Sequence, residues 1–247
     1  MLVDINCDLG ESYGRFQVGN DDEVLPLISS CNIACGMHGG DPLTIEKTIQ
    51  QAIALGKRIG AHPSYADLVG FGRRPMQIPA AELKALLRYQ IASLKGLCEL
   101  HGGHLSYVKP HGALYNAAAK DPGIGATVIE VLQEFPTLTL MGLAGSSLQD
   151  QSNQAGLPFL AEAFIDRAYT ASGHLVSRQQ TGAVINDPEQ AVDQMLSMLE
   201  RGVVESIDGT PIPMQADSFC IHGDTPAAVP ILTALHTALP KAGYTIA

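Results

Sequence analysis

Short apolar runs alternate along the chain with longer segments whose apolar residues recur every three or four positions. The short runs are bounded by Gly, Pro, Asp or Asn, a pattern typical of buried strands. They predict strands at residues 2–9, 31–36, 58–62, 105–109, 138–142, 158–164 and 217–222. The longer segments predict helices at residues 42–56, 79–100, 122–134, 188–201 and 225–239. The first helix is the clearest, because Asp41 is placed to cap it, Pro42 opens it and Gly56 follows its end.

The order of these elements is a repeat of strand and helix, which predicts an α/β protein. Such a repeat implies parallel strands joined by crossover helices, either in a closed barrel or in an open doubly wound sheet. We favour the barrel. A length of 247 residues suits one α/β barrel, and no internal repeat or linker-like stretch divides the chain. We therefore predict a single domain over residues 1–247.

Composition limits the partners and the compartment. The formal net charge is −10 and Lys and Arg form no basic run, which argues against binding to nucleic acid. No apolar run approaches the roughly 20 residues that cross a bilayer, and Asp4 and Asp8 lie where a signal peptide would be apolar. The five cysteines include no CxxC pair, which fits reduced thiols in the core. We expect a cytoplasmic protein with no membrane partner.

Polar side chains gather at the carboxyl ends of the predicted strands, where α/β proteins place their active sites. In the first strand the period of two turns Asn6 and Asp8 away from the apolar face. The other strand ends carry His38, His62, Lys109, His111, Glu162, His222 and Asp224. Any one of these histidines, taken alone, is better explained by a helix cap or a hydrogen bond to a buried carbonyl. Because buried carboxylates require cations or hydrogen bonds nearby, we expect the group to meet at one rim.

Three loops add candidate binding groups. The segments FGRRP (71–75) and FIDRAYTASGHLVSR (164–178) contain Arg73, Arg74, Arg167 and Arg178. Guanidinium groups of this kind suit a carboxylate or a phosphate, although a solvated surface charge is the alternative for at least two of them. The segment CGMHGGDP (35–42) precedes a helix and is either an anion site or an ordinary turn.

Missing motifs exclude several kinds of site. No GxxxxGK[ST], GxGxxG or HExxH motif occurs, so a Walker nucleotide loop, a Rossmann dinucleotide site and a zincin site are not indicated. The presence of a metal stays open, because Asp8, His38 and His62 offer a carboxylate and two imidazoles if they meet in space.

The strand-end motifs resemble those of the LamB/YcsF family across nearly the whole chain. The matching segments are DINCDLGE (4–11), NIACGMHGGDP (32–42), GAHPSY (60–65), GFGRR (70–74), VKPHGALYN (108–116), EAFIDRAY (162–169) and IHGD (221–224). Met37 and Gly39 stand where we would expect Phe and Ala, and they leave His38 and Asp41 in place.

The resemblance implies a distorted seven-stranded (β/α) barrel similar to that of glycoside hydrolases and deacetylases. It also implies a role in the ATP-dependent hydrolysis of 5-oxoproline to L-glutamate together with subunits B and C. ATP is then a co-substrate bound mainly by those partners, because this chain lacks a nucleotide loop. Two alternatives stay open: a metal-dependent sugar deacetylase, and a non-catalytic binding or regulatory protein.

Within the implied reaction, each rim residue has an expected role. Asp8 or His62 activates water, Lys109 stabilises developing negative charge, and His111 or His222 protonates the ring nitrogen. We expect the substrate to be bound by Asn6, Asn32, His38 and by Arg73 or Arg167.

Overall fold

The structure is a computed structural model that describes residues 1–247. Its strands are β1 (Leu2–Leu9), β2 (Ser30–Ala34), β3 (Arg58–His62), β4 (Leu105–Val108), β5 (Thr139–Leu143), β6 (Phe159–Phe164), β7 (Val203–Glu205), β8 (Pro211–Pro213), β9 (Ser218–His222) and β10 (Thr245–Ile246). Its helices are α1 (Asp21–Val24), α2 (Pro42–Ala54), α3 (Ala80–Leu100), α4 (Gly112–Ala118), α5 (Pro122–Leu132), α6 (Ser147–Gln154), α7 (Pro188–Arg201) and α8 (Ala228–Ala238). Short 3-10 helices cover Leu25–Leu27 and Leu239–Ala242.

Seven strands form a closed parallel barrel. Strands β1 to β6 pair in sequence, β6 pairs with β9, and β9 pairs with β1 to close the ring. The predicted distorted seven-stranded (β/α) barrel is therefore confirmed. Two features make the barrel irregular: the antiparallel hairpin of β7 and β8 lies between β6 and β9 in the chain, and β10 pairs with the first residues of β1 outside the ring.

The strand period of two separates an apolar face from a polar interior. On β1, Ile5, Cys7 and Leu9 belong to the main apolar core beneath the helices. Asn6 has the opposite phase, and its Nδ2 donates to Ser218 Oγ on β9 at 2.8 Å. Similar bonds link side chains of neighbouring strands across the interior. The barrel is thus filled by a buried polar network that leads up to the carboxyl ends of the strands.

Aspartate caps and prolines begin three of the predicted helices. The side chains of Asp41, Asp121 and Asp187 accept hydrogen bonds from backbone N–H groups at the starts of α2, α5 and α7, and each is followed by proline. All five predicted helices and all seven predicted strands are present, with bounds that differ by a few residues. Capping chemistry and apolar period together therefore predict the regular framework.

The sequence prediction missed the shorter elements: α1, α4, α6, β10 and the hairpin of β7 and β8. Helix α6 has the sequence SLQDQSNQ, in which only Leu148 and Ser152 are buried, so no apolar stripe marks it. Helix α4 begins at Gly112 without a side-chain cap. These elements are held by tertiary contacts, such as those of α4 with α5 and of β7 with α7, rather than by local pattern.

The cysteines and the helices bear on two further expectations. All five cysteines are buried free thiols, as predicted. None of the helices combines enough length with enough apolar character to pass through a bilayer.

Candidate active site

A cleft of about 640 Å³ opens at the carboxyl ends of the barrel strands. It is lined by all five residues that were predicted to be catalytic, namely Asp8, His62, Lys109, His111 and His222. The register of β1 and β9 places Asp8 directly beside His222. Parallel strands therefore bring together side chains that are far apart in the sequence.

Lys109 follows β4 directly and places a buried ammonium group at the floor of the cleft. Its Nζ lies 2.9 Å from Asp8 Oδ1 and 2.7 Å from Glu162 Oε1, and it donates to Asn6 Oδ1 at 3.2 Å. Burial alone would lower the pKa of Lys109, but the negative charge of Asp8 contributes to an opposing effect that holds this pKa well above its usual range. The ammonium is a fixed positive charge in the site.

Asp8 is the anionic counterpart of this lysine. Besides Lys109, its Oδ1 accepts a hydrogen bond from Asn32 Nδ2 at 2.8 Å, and its Oδ2 lies 3.2 Å from His62 Nε2. Burial would raise the pKa of Asp8, but attraction to His62 and Lys109 outweighs burial and holds the pKa well below its usual range. Asp8 is therefore ionised, with one oxygen bound to the ammonium and the other beside an imidazole.

Glu162 on β6 is a second carboxylate against the lysine. It is fully buried, and although Lys109 Nζ is 2.7 Å from Oε1, neither oxygen of Glu162 receives a hydrogen bond of good geometry. The hydroxyl of Tyr115 is also buried without a partner. The sequence placed Glu162 at a strand end without a role, because its pairing with Lys109 arises only when the barrel closes.

Four residues form a second group, the histidine cluster: Glu11, His38, His62 and His111. Oε1 of Glu11 lies 3.0 Å from His38 Nε2 and 3.4 Å from His111 Nδ1. The His38 and His111 rings stack with 3.8 Å between centroids. Burial holds the pKa of both rings well below its usual range, so both are neutral at physiological pH. Neutral imidazoles and a carboxylate are donors that transition metals accept.

Backbone carbonyls fix two rings of the histidine cluster. His62 Nδ1 lies 2.7 Å from the carbonyl oxygen of Lys109, and His111 Nε2 lies 2.9 Å from that of Phe71. Phe71 is the one non-glycine residue with a positive φ, at 53°. A carbonyl only accepts, so each ring donates its N–H there.

His222 at the end of β9 forms a carboxylate–imidazole pair with Asp166. Its Nδ1 lies 3.0 Å from both carboxylate oxygens of Asp166. Burial would raise the pKa of Asp166, but the attraction of His222 outweighs burial and lowers it. Nδ1 is thus engaged, and Nε2 of this cleft-lining residue has no protein partner. Asp166 lies within the motif EAFIDRAY (162–169), which is the sequence signal for it.

Cationic side chains surround the upper part of the cleft. Arg73, Lys120, Arg167 and Arg178 all line it. Arg73 pairs with Asp224 at 2.6 Å, whereas Arg178 lies 3.8 Å from the same carboxylate. The buried guanidinium of Arg167 already donates to two backbone carbonyl oxygens, and burial lowers its pKa to about 10. Arg73 and Arg178 therefore have the freer guanidinium groups.

Comparison with known proteins agrees with the motifs. The model of the LamB/YcsF family matches residues 3–247. The chain belongs to the LamB/YcsF family. It is 51% identical over 242 residues to the A subunit of 5-oxoprolinase from Acinetobacter baumannii (strain ACICU), covering 98% of this chain and 95% of the relative.

Solved structures share the fold of this chain. The lactam utilization protein from Thermus thermophilus superposes with a TM-score of 0.93 at 42% identity, covering 100% of this chain and 99% of that one. The family 4 carbohydrate esterase from Streptomyces lividans superposes with a TM-score of 0.52 at 13% identity, covering 99% of this chain and 91% of that one. The second likeness shows the fold alone, and it agrees with the expected similarity to deacetylase barrels.

Three residues of this LamB/YcsF barrel that were expected to bind substrate lie elsewhere. Asn6, Asn32 and His38 are fully buried, and none of them lines the cleft. Inside the barrel, Asn6 Oδ1 accepts a hydrogen bond from Lys109 Nζ, and Asn32 Nδ2 donates one to Asp8 Oδ1. Asn6 and Asn32 lie inside the barrel on β1 and β2, and His38 lies in the loop after β2, so their direct contact with substrate stays a prediction.

Two other predicted binding features have structural explanations. The start of α2 is closed by the Asp41 carboxylate, which accepts from Thr44 N at 2.9 Å. The CGMHGGDP loop is therefore an ordinary turn and not an anion site. Arg74 does not line the cleft, since it forms an ion pair with Asp67.

Residues 10–14 read GESYG, which fits the GxSxG pattern of serine hydrolases. The Ser12 hydroxyl is instead paired with Val18, donating to its carbonyl oxygen at 3.3 Å and accepting from its N–H at 3.0 Å. No histidine hydrogen-bonds this hydroxyl, so a nucleophilic serine is not supported.

Proposed function

We propose that this chain is the A subunit of an ATP-dependent 5-oxoprolinase, which opens the lactam of 5-oxoproline to L-glutamate together with subunits B and C. The observation that carries the proposal is the buried ammonium of Lys109, paired with Asp8 beside His62 and facing the His222–Asp166 pair across one cleft. The names of the Acinetobacter relative and of the Thermus protein support the same reaction.

The chemistry requires activation before hydrolysis. A lactam carbonyl is a poor electrophile, so ATP serves to phosphorylate its oxygen. Water then adds to the ring carbon, the C–N bond breaks as the nitrogen takes a proton, and a second water releases phosphate from the resulting acyl phosphate. The site must therefore supply a base, a cation for developing negative charge and an acid.

The geometry favours a particular chemical role for each residue of the site. Asp8 activates water with His62 beside it, because Asp8 lines the cleft and its Oδ2 has no protein contact other than His62 Nε2 at 3.2 Å. Lys109 stabilises negative charge at the ring carbon. His222 protonates the nitrogen rather than His111, since both nitrogens of His111 have protein partners whereas Nε2 of His222 has none.

The four cationic side chains that line the cleft bind the substrate carboxylate and the phosphoryl group. Arg73 is the preferred ligand for the carboxylate over Arg167, whose guanidinium is held by Val176 and Ala183 carbonyls. No phosphate-cradling motif is present in the chain. We therefore assign the binding of ATP to the partner subunits.

The test is glutamate release from 5-oxoproline and ATP by the chain mixed with purified subunits B and C. The Lys109→Met chain should lower this rate about a hundredfold to a thousandfold. The control Lys95→Met, on the surface of α3, should leave the rate unchanged. Hydrolysis of an N-acetylated sugar by the chain alone, with no glutamate from the mixture, would support the deacetylase instead.

A further inference from the structure

We infer that Glu11, His38, His62 and His111 form a binding site for one divalent transition-metal ion. One ligand atom from each residue lies within 4.8 Å of the others, and all four residues are buried. Three imidazoles and one carboxylate make the donor set that Zn²⁺ and similar ions accept. The inference shares His62 with the proposed lactam hydrolysis but does not depend on that reaction, because its test is metal binding and not glutamate formation.

The decisive feature is the direction in which two rings face each other. His62 donates its Nδ1–H to the Lys109 carbonyl, and His111 donates its Nε2–H to the Phe71 carbonyl. These bonds turn His62 Nε2 and His111 Nδ1 toward each other at 2.9 Å, and His62 Nε2 also lies 3.2 Å from Asp8 Oδ2. A cation is therefore expected among these atoms, and the test below distinguishes a metal ion from a proton on His62.

The spacing of the donors suits a single ion. Ligands at about 2.0–2.1 Å from a tetrahedral Zn²⁺ lie roughly 3.3 Å from one another. The observed separations are 2.9 Å for His62 and His111, 3.0 Å for His38 and Glu11, and 3.4 Å for His111 and Glu11.

The surroundings of the rings resemble those of metal ligands. Ligating histidines commonly donate their second N–H to a backbone carbonyl, which fixes the tautomer. His62 and His111 do so. Phe71, whose carbonyl accepts the hydrogen bond from His111, has a positive φ. His38 has no such acceptor, since its Nδ1 is buried without a partner, and its ring lies 8° from parallel to that of His111, so one of these two rings must rotate before both can direct a nitrogen at one ion.

A second group of potential ligands, Asp8, Cys220 and His222, is excluded by charge. The Lys109 ammonium lies 2.9 Å from Asp8 Oδ1 and 3.1 Å from Cys220 Sγ, so a cation already occupies that position. The histidine cluster has no ammonium or guanidinium among its members. A metal held there lies beside Asp8, through the contact of Asp8 with His62, and supplies a Lewis acid next to the cleft.

The test is direct metal binding, with no assay of 5-oxoproline. The chain is stripped with a chelator, dialysed against Zn²⁺ and measured by mass spectrometry of the metal and by calorimetry, and Co²⁺ is used as a spectroscopic probe. We expect one ion per chain and the visible spectrum of a four-coordinate cobalt site. Glu11→Gln and His38→Gln should weaken binding on the order of a hundredfold or more, because they remove ligands.

The control is His104→Gln, which replaces an exposed histidine outside the cluster and should not change binding. Circular dichroism checks that each variant is folded, and Glu11→Gln keeps the shape of its side chain if His38→Gln does not fold. The inference is overturned by a chain that takes up no stoichiometric Zn²⁺ or Co²⁺, or by binding that both variants retain. Nitrogen NMR showing His62 protonated on both nitrogens in such a chain would identify a proton in place of the metal.

Discussion

Lys109 is almost fully buried between two carboxylates, and this burial determines the effect of removing its charge. Asp8 and Glu162 each lie within 3 Å of its ammonium, at 2.9 and 2.7 Å. Removing one member of a buried charged group leaves the others unpaired in a medium of low dielectric constant, whereas removing charges together is far less costly. The same lysine therefore contributes to stability and to the proposed chemistry, and the two contributions are separable.

Lys109→Met should lower the free energy of unfolding by about 3–5 kcal/mol, because two carboxylates lose their cation. Adding Glu162→Gln to that variant should recover part of the stability without recovering glutamate formation, since the ammonium is still missing. Urea unfolding and the assay with subunits B and C give the two measurements. A double variant no more stable than Lys109→Met would show that Glu162 is not balanced by the lysine.

Asp166→Asn tests the carboxylate that holds His222. The pKa of Asp166 is lower in the folded chain than in the unfolded one, so its ionised form adds stability above about pH 4 and loses it as the pH falls through the folded value. The variant should cost about 1–3 kcal/mol near neutral pH and less at low pH. It should also slow turnover about a hundredfold. Urea unfolding at pH 7 and at low pH compares it with the exposed control Asp150→Asn, which should show no such dependence.

At the scale of elements, the segment after β3 closes over the histidine cluster. Gly72 has a φ of +62°, and a Cβ there would lie 2.8 Å from His38 Cβ and 2.9 Å from His111 Cδ2. No side chain fits without moving the rings. This close packing explains why a glycine stands at position 72. On either side of it, Phe71 contacts the histidine cluster and Arg73 lines the cleft.

Gly72→Ala should therefore lower the free energy of unfolding by more than backbone strain alone would. Gly56 provides the matched control, because its φ is +64° and an added Cβ meets nothing within 4 Å. We expect Gly56→Ala to cost about 1–2 kcal/mol from the left-handed backbone and Gly72→Ala to cost about 1–3 kcal/mol more from overpacking. Thermal and urea unfolding measure the difference. Equal losses in the two variants would mean that the segment is not packed on the rings.

The regular framework was predictable because its signals are local. The period of two in β1 and the Asp41 cap of α2 act within a few residues. Helix α4, which lacks a side-chain cap, was missed because tertiary contacts such as those with α5 hold it in place. In the site, the positions of the polar residues at the predicted strand ends indicated that these residues would meet at one rim of the barrel. The partners Glu162 and Asp166 were not assigned, since pairing across the barrel leaves no spacing in the sequence.

At the scale of the whole molecule, the distribution of charge is uneven. The chain has a net charge of −10, yet its cleft is lined by Arg73, Lys120, Arg167 and Arg178. Local positive charge of this kind concentrates anionic ligands. The chain nevertheless lacks a standard loop that binds the phosphates of ATP. This absence is the basis for our proposal that the partner subunits supply the groups for energy coupling.

We expect the isolated chain to release no glutamate from 5-oxoproline, with or without ATP, and to do so once subunits B and C are added. The physical reason is that an unactivated lactam resists the water that Asp8 and His62 prepare, and activation by phosphorylation depends on the partners. In the mixture, His62→Ala should leave the complex assembled and abolish glutamate formation, while ATP cleavage persists uncoupled because its site lies elsewhere. Size-exclusion chromatography, glutamate release and phosphate release measure the three properties. Efficient ATP-dependent ring opening by the purified chain, shown to be free of partner subunits, would contradict this division of labour.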